Sequence, residues 1–217
     1  MLTPDTARSW YPAFDPIHGF DHVLRVYRLA ERIALAEGAD VEIVRVAALL
    51  HDAQDSSSIN INRPAHQHAS ADFAQRVLNE EGWPPQRIAA ALHCIRAHRF
   101  RDDTEQPQTL EAKVLFDADK LDAIGATGVA RALAYAVLAG APAYCQPSEL
   151  FLHTGQTEPG EPHSSYHEYL FKLRYLMDHM HTPTARSIAE ERHRLMTEFY
   201  KHLADEWDSL NIPLPSF

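Results

Sequence analysis

The sequence predicts an all-α protein, a helical bundle built as a single domain. Two observations carry that reading. Apolar residues recur at helical spacing along most of the chain. No stretch shows the sustained alternation with a period of two that a half-buried strand needs. The breaks between the apolar runs are rich in proline, glycine and small polar residues, and no internal repeat is visible. With 217 residues the chain is ample for one large core.

The elements follow in order. After PAFDPIHGF, the residues Val23, Val26, Leu29, Ala30 and Ile33 recur at helical spacing, and Gly38 marks a C-terminal stop. Ile43, Val46, Ala47 and Leu50 carry the next helix, which runs into the charged stretch LLHDAQD. SSSININRP is a polar break closed by Pro64. A third helix is expected from about His66 to Glu81, ending at Gly82, and Pro84 and Pro85 suit the first turn of a fourth that runs to about Arg99. RDDTEQPQ reads as a loop. The following TLEAKVLFDADKLDAIGATGVARALAYAVLAG is helical, with a break near Gly125 and Gly128. Residues 141–164 hold four prolines and two glycines and read as one long irregular loop, a lid or a subunit contact. Two helices close the chain, about Ser165 to Met180 and Pro183 to Leu210.

Composition narrows the function. Net charge is −10, and no basic tract is present, which argues against a nucleic-acid polymer as partner. An acidic protein that handles an anion needs local cations, and a metal ion would supply one. Cys94 and Cys145 lie in separate segments without CxxC spacing, which argues against a disulfide framework or a thiolate zinc site. MLTPDTARSWYPAFDP lacks the basic-then-apolar pattern of a secretory signal, and no apolar run is long enough for a bilayer. A cytoplasmic protein that does not enter membranes is therefore expected. The fourteen histidines are unusual, because imidazole both moves protons near neutral pH and binds metals.

The chemistry is expected where charge interrupts apolar runs. His51 and Asp52 stand side by side at the end of VEIVRVAALL. Burying a carboxylate without a partner is costly, so such a pair needs compensation. His22 sits on the preceding helix, one turn after His18. In DADKLDAIGA, residues 117–126, an apolar strip runs straight into three aspartates and a lysine. Three helices that point His22, His51, Asp52 and Asp119 at one place would make a mixed nitrogen and oxygen site. Such a set suits a borderline divalent ion. Lys120, beside Asp119, is well placed for a phosphate, with a salt bridge to Asp117 or Asp122 as the plain alternative. Asp55, one turn after His51, either moves a water proton or simply ends the helix.

This pattern resembles the HD-domain metal-dependent phosphohydrolases. The resemblance covers nearly the whole chain and is closest to a small bacterial branch with a DADRLDAIGAIGIAR-like segment, here DADKLDAIGATGVAR. IHGFDHVLRV, AALLHDAQD, RAHRF, QTLEAKV, HTPTARSIAEER and HEYLFKL support it. The resemblance implies an HD-type bundle over residues 1–217, with a metal-binding core over about 18–135 and C-terminal helices over about 165–210. It implies four metal ligands, His22, His51, Asp52 and Asp119. They would hold one divalent ion, with Mn²⁺ favoured and Mg²⁺, Co²⁺, Ni²⁺, Fe²⁺ or Zn²⁺ as alternatives. It places Lys120 on substrate phosphate and Asp55 in catalysis. His93 and His98 are candidates for substrate contact, with His98 also for leaving-group protonation; a second metal would need both. His167 and Lys172 are candidates for a polyphosphate tail.

The implied activity is hydrolysis of nucleotides by a metal-activated water. Cleavage of a nucleoside triphosphate to monophosphate and pyrophosphate is favoured. A nucleoside monophosphate phosphatase and a di-iron oxygenase are the alternatives. A homodimer is compatible with the chain. Two departures bear on substrate choice. Relatives of this type carry a lysine a few residues after the His-Asp pair; here SSSININRP has none, and Arg63 is the substitute candidate. RAHRF stands where a His-Ser-Phe-Ser-like run is more usual.

Overall fold

The protein is described from a computed structural model, which covers residues 2–12, 15, 19–54, 66–99 and 105–209, without the side chains of His66 and Ser209. Its elements are α1 (Pro4–Ala7), α2 (Phe20–Glu37), α3 (Val41–Leu50), α4 (His66–Glu80), α5 (Pro85–Arg96), α6 (Leu110–Asp122), α7 (Gly125–Leu138), α8 (Glu149–Thr154), α9 (Ser165–Phe171) and α10 (Pro183–Ser209). Short 3-10 segments occupy Arg8–Trp10 and Leu173–His179. No strand occurs among the described residues, so the all-α expectation holds. Among them no single helix is long and apolar enough to cross a membrane.

Backbone contacts divide the chain into two compact units. The first comprises Met1–Asp122 and Met180–Ile188, the second Ala123–His179 and Ala189–Phe217. α10 thus begins in the first unit and continues in the second.

In the first unit α2, α3, α5 and α6 pack on one another, and α4 packs on α5 and α3. α3 is the most deeply placed. Asp40 caps its start by accepting from the N–H groups of Glu42 and Ile43, and Arg87 holds the Asp40 carboxylate at 2.9 and 3.1 Å. Seven of its ten residues are buried, Ile43, Val44, Val46, Ala47, Ala48, Leu49 and Leu50. Burial of each large aliphatic side chain here contributes about 1.5–3 kcal/mol. Its C-terminus also lies inside the protein, so its last carbonyls need donors. Two of them find donors. The Leu49 carbonyl accepts from the Tyr11 hydroxyl at 2.8 Å, and the Leu50 carbonyl accepts from the Ala53 N–H.

The helix stops read from sequence are physical. Gly38 ends α2 at φ 76°, and its N–H reaches the Ala34 carbonyl. The break between α6 and α7 falls at Gly125, φ 75°, where a Cβ would meet Arg192 Cβ at 2.9 Å. Glycine is required there by both backbone and space.

One expectation is corrected. The segment 141–164 is not wholly irregular, because it contains α8. Ser148 caps its start through the Phe151 N–H, and Gly155 at φ 73° caps its end. The prolines flank this single turn and a half instead of entering it. A shorter correction applies to the helix expected over about 165–180: α9 ends at Phe171 and a 3-10 stretch completes the span.

In the second unit a buried polar chain ties α8 to α9. The Ser164 hydroxyl and His167 Nδ1 lie 2.7 Å apart, and His167 Nε2 lies 3.0 Å from Glu161 Oε1. Glu161 also accepts from the Ser148 N–H and hydroxyl, both at 2.7 Å. These bonds, His167 first, hold the Glu161 carboxyl down to about 2.

In the first unit Asp117 anchors the start of α10. It accepts from the His181 N–H at 2.9 Å, the Thr182 N–H at 2.8 Å and the Thr182 hydroxyl at 2.7 Å. Thr182 in turn caps the Ala185 N–H. Burial raises the Asp117 carboxyl above its ordinary range, and the three donors oppose that rise. Replacing Asp117 by alanine leaves buried donors unmatched, and a loss of about 2–3 kcal/mol in urea unfolding is expected. Glu161 gives a pH signature. Its depressed carboxyl contributes stability fully above the ordinary glutamate value of about 4.3 and loses it as pH falls toward about 2. The difference in urea midpoint between wild type and Glu161→Gln should therefore be constant near pH 6 and shrink below about pH 4.

Candidate metal centre

Three helices bring donor atoms together inside the first unit. His22 comes from the first turn of α2, His51 from the residue that follows α3, and Asp119 from the last turn of α6. One ligand atom from each of these residues lies within 4.8 Å of the other two, and no other such trio occurs among the described residues. His22 Nε2 is 3.5 Å from Asp119 Oδ1 and 3.7 Å from Asp52 Oδ2. His51 Nε2 is 3.5 Å from the same Asp52 oxygen. His98 joins from beyond the end of α5, with Nε2 3.5 Å from Asp52 Oδ1 and its ring 5.1 Å from the His51 ring.

The three imidazoles share an arrangement. Each fixes Nδ1 with a short hydrogen bond and leaves Nε2 toward the cluster. His51 Nδ1 donates to the Ala48 carbonyl at 2.8 Å, and His98 Nδ1 to the Ile95 carbonyl at 2.5 Å. These carbonyls belong to the last turns of α3 and α5, where helical partners run out. His22 Nδ1 instead meets Asp122 Oδ2 at 2.7 Å. An Nδ1–H donor leaves the Nε2 lone pair free for a metal.

His51 tests whether a cation fits. The residue is fully buried, and its Nε2 has no hydrogen-bond partner among the described residues. A buried nitrogen of this kind costs free energy unless something else coordinates it. Burial pushes the imidazole down to about 4, with Asp52 opposing, so His51 is neutral at pH 7 and ready to act as a ligand. Two imidazoles and two carboxylates suit a borderline divalent ion with water in its remaining positions. The negative ends of the α3 and α5 dipoles add to the attraction. The residues present therefore fit a divalent metal.

Asp119 carries its charge against burial. Burial opposes ionisation, but Lys120, followed by His22, His51 and His98, holds the carboxyl well below the ordinary range. Lys120 Nζ lies 2.5 Å from Asp119 Oδ2 and over the Phe116 ring at 5.2 Å. Its ion pair is thus with Asp119 and not with Asp117 or Asp122, the plain alternatives.

Other candidate residues are placed differently. His93 engages both ring nitrogens in structure: Nδ1 lies 2.6 Å from Glu105, and Nε2 accepts from the Gln108 N–H at 3.2 Å. Arg96 clasps the same Glu105. His93 therefore acts as a staple for residues 105–108 and has no nitrogen left for substrate or a second metal. His167 and Lys172 belong to the second unit, where His167 is buried in the chain described above and Lys172 lies 3.3 Å from Glu168. Asp55 and Arg63 lie outside the described residues, as does His18.

Comparisons with known proteins show the family. The HD domain family profile matches residues 19–124. The uncharacterized protein YpgQ of Bacillus subtilis (strain 168) is 35% identical over 189 residues, which is 86% of this chain and 82% of that protein. The crystal structure of Bacillus subtilis YpgQ in complex with ADP superposes with a TM-score of 0.69 at 32% identity, covering 94% of this chain and 97% of that one. A Lactobacillus plantarum protein gives a TM-score of 0.74 at 31% identity, covering 96% and 100%. An HD-superfamily hydrolase from Bacillus thuringiensis gives 0.62 at 30% identity, covering 88% and 87%.

A cation bound to the native centre should raise stability by mass action, about 2.7 kcal/mol at a concentration one hundred times its dissociation constant. Thermal melts with and without Mn²⁺ or Co²⁺ should show the rise in wild type. His51→Ala should abolish it.

Proposed function

From the premise that the chain belongs to the HD family of metal-dependent phosphohydrolases, we propose that it hydrolyses nucleotides. One divalent metal, Mn²⁺ favoured, would be held by His22, His51, Asp52 and Asp119. The observation that carries the reading is the buried His51 Nε2, without a hydrogen-bond partner among the described residues, 3.5 Å from Asp52 Oδ2 and beside the His22–Asp119 pair. When bound, the ion lowers the pKa of a water and polarises a phosphoryl oxygen.

The chain's own residues do the rest. Lys120 presents a nearly buried ammonium on the edge of the cluster, where it can neutralise charge on a phosphoryl group. His98, with Nδ1 held by Ile95, can carry a proton at Nε2 and give it to a leaving oxygen. Asp55 is our candidate for taking the water proton, and Arg63 for a phosphate contact.

Nucleoside triphosphates, cleaved to monophosphate and pyrophosphate, are the favoured substrates. The resemblance in DADKLDAIGATGVAR supports this choice, and the ADP seen with YpgQ supports a nucleotide ligand. A di-iron reading would need a further histidine, and His93 is already spent on Glu105 and Gln108.

A metal-by-substrate screen tests the proposal. Mn²⁺, Co²⁺, Ni²⁺ and Mg²⁺ are crossed with nucleoside mono-, di- and triphosphates, and products are identified as phosphate or pyrophosphate. Pyrophosphate release from triphosphates is expected, and Asp119→Ala should lower turnover more than about a hundredfold, beyond the loss of a mere supporting partner. Full activity in that variant would remove Asp119 from the site. No hydrolysis in any pairing would sink the nucleotide reading.

A further inference from the structure

His22 stands in a different electrostatic position from the other two imidazoles. His51 and His98 follow the C-terminal ends of helices, so unpaired backbone carbonyls are at hand for Nδ1. His22 lies in the first turn of α2, where the backbone offers N–H groups. A ring there has no carbonyl to set its tautomer, and its acceptor must come from elsewhere. Asp122 supplies it from α6 at 2.7 Å, one hundred positions away in sequence.

Asp122 is itself held. It is almost fully buried, and Arg25 donates to it through Nε at 2.6 Å and Nη2 at 3.0 Å. Its Oδ2 therefore faces two donors, His22 Nδ1 and Arg25 Nη2, while Oδ1 faces Arg25 Nε. Only an ionised carboxylate accepts all of these at once. The proton of His22 is thereby confined to Nδ1, and the Nε2 lone pair faces Asp52 and Asp119.

We infer that Asp122, locked by Arg25, is the positioning residue that fixes His22 as an Nε2 ligand of the metal. The inference rests on the metal centre proposed above and adds two residues outside its ligand set. Asp122→Asn puts the point in its sharpest form, because the amide keeps the shape. If its NH₂ occupies the Oδ2 position, it faces the Arg25 donor and forces the His22 proton onto Nε2. The Oδ1 position is the worse one for the NH₂, because it faces Arg25 Nε–H at 2.6 Å, a donor that cannot give up its proton, so the amide settles in the Oδ2 position, where His22 can adapt its tautomer. Either orientation sets donor against donor.

The test is a Co²⁺ titration of the metal-free full chain, followed by visible absorption, together with the ¹⁵N shifts of the histidine ring nitrogens before metal is added. Wild type should bind Co²⁺ and Asp119→Ala should lose it; if wild type does not bind, the metal-centre reading itself fails. With that reading intact, Asp122→Asn should bind about 10–100-fold more weakly, as loss of a ligand's supporting partner does. Its His22 ring should shift from the Nδ1–H tautomer toward Nε2–H, which a purely structural role would not produce. Affinity within about twofold of wild type, or an unmoved tautomer, would overturn the inference and leave the metal centre standing. Should Asp122→Asn fail to fold, Arg25→Met decides. This variant removes the lock and should weaken Co²⁺ binding in the same direction, and unchanged binding would overturn the inference.

Discussion

A buried nitrogen without a hydrogen-bond partner among the described residues organises the first unit. His51 Nε2 lies in the interior with no partner among the described residues, at the end of a helix whose last three residues are fully buried. Such a group is costly, and a coordinated cation would compensate it. The rest of the unit is arranged to keep that nitrogen in place. Apolar packing fixes α3, the Ala48 carbonyl fixes the ring, and Tyr11 occupies the neighbouring carbonyl. The charged end of an apolar helix is thus a consequence of burial, since only a rigid support can aim an imidazole to within a few tenths of an ångström.

α6 carries the complementary half. Within six residues it presents Asp117 to the start of α10, Asp119 and Lys120 to the metal cluster, and Asp122 to His22 and Arg25. Each acid has its own donors, so three buried or nearly buried carboxylates coexist in one short helix. Their environments differ in direction. Burial raises Asp117, while Lys120 and the imidazoles lower Asp119. Neighbouring groups of one chemical type are divided between holding the fold and facing the cluster by which way the helix turns them.

Much of this was legible before any coordinates. Gly38, Gly82 and the Pro84–Pro85 pair punctuate the chain with conformations that little else can adopt, and the helices end where they stand. The apolar runs that stop abruptly at His51 and at Asp117 drew attention to the right helices, because unexplained charge beside a buried stripe requires a partner. What stayed hidden depends on distance along the chain. Asp122 read only as a possible partner of Lys120, since its actual partners His22 and Arg25 lie about one hundred positions away. His93 read as a candidate for substrate or a second metal, since Glu105 and Gln108 are in a loop with no periodicity to place them. α8 was masked by the prolines around it, although Ser148 and Gly155 were the caps that would have announced it.

The crowding of duties on α6 has a bearing on how this segment can change over time. Successive helical residues differ by about 100° in direction. A single inserted or deleted residue between Asp117 and Asp122 would turn every downstream side chain by that angle, sending a metal-facing acid toward an anchor and an anchor into the packing. Point substitutions can be sampled here one function at a time, but a change of length would strike all of them together. The stretch DADKLD is therefore constrained in length more firmly than in letters.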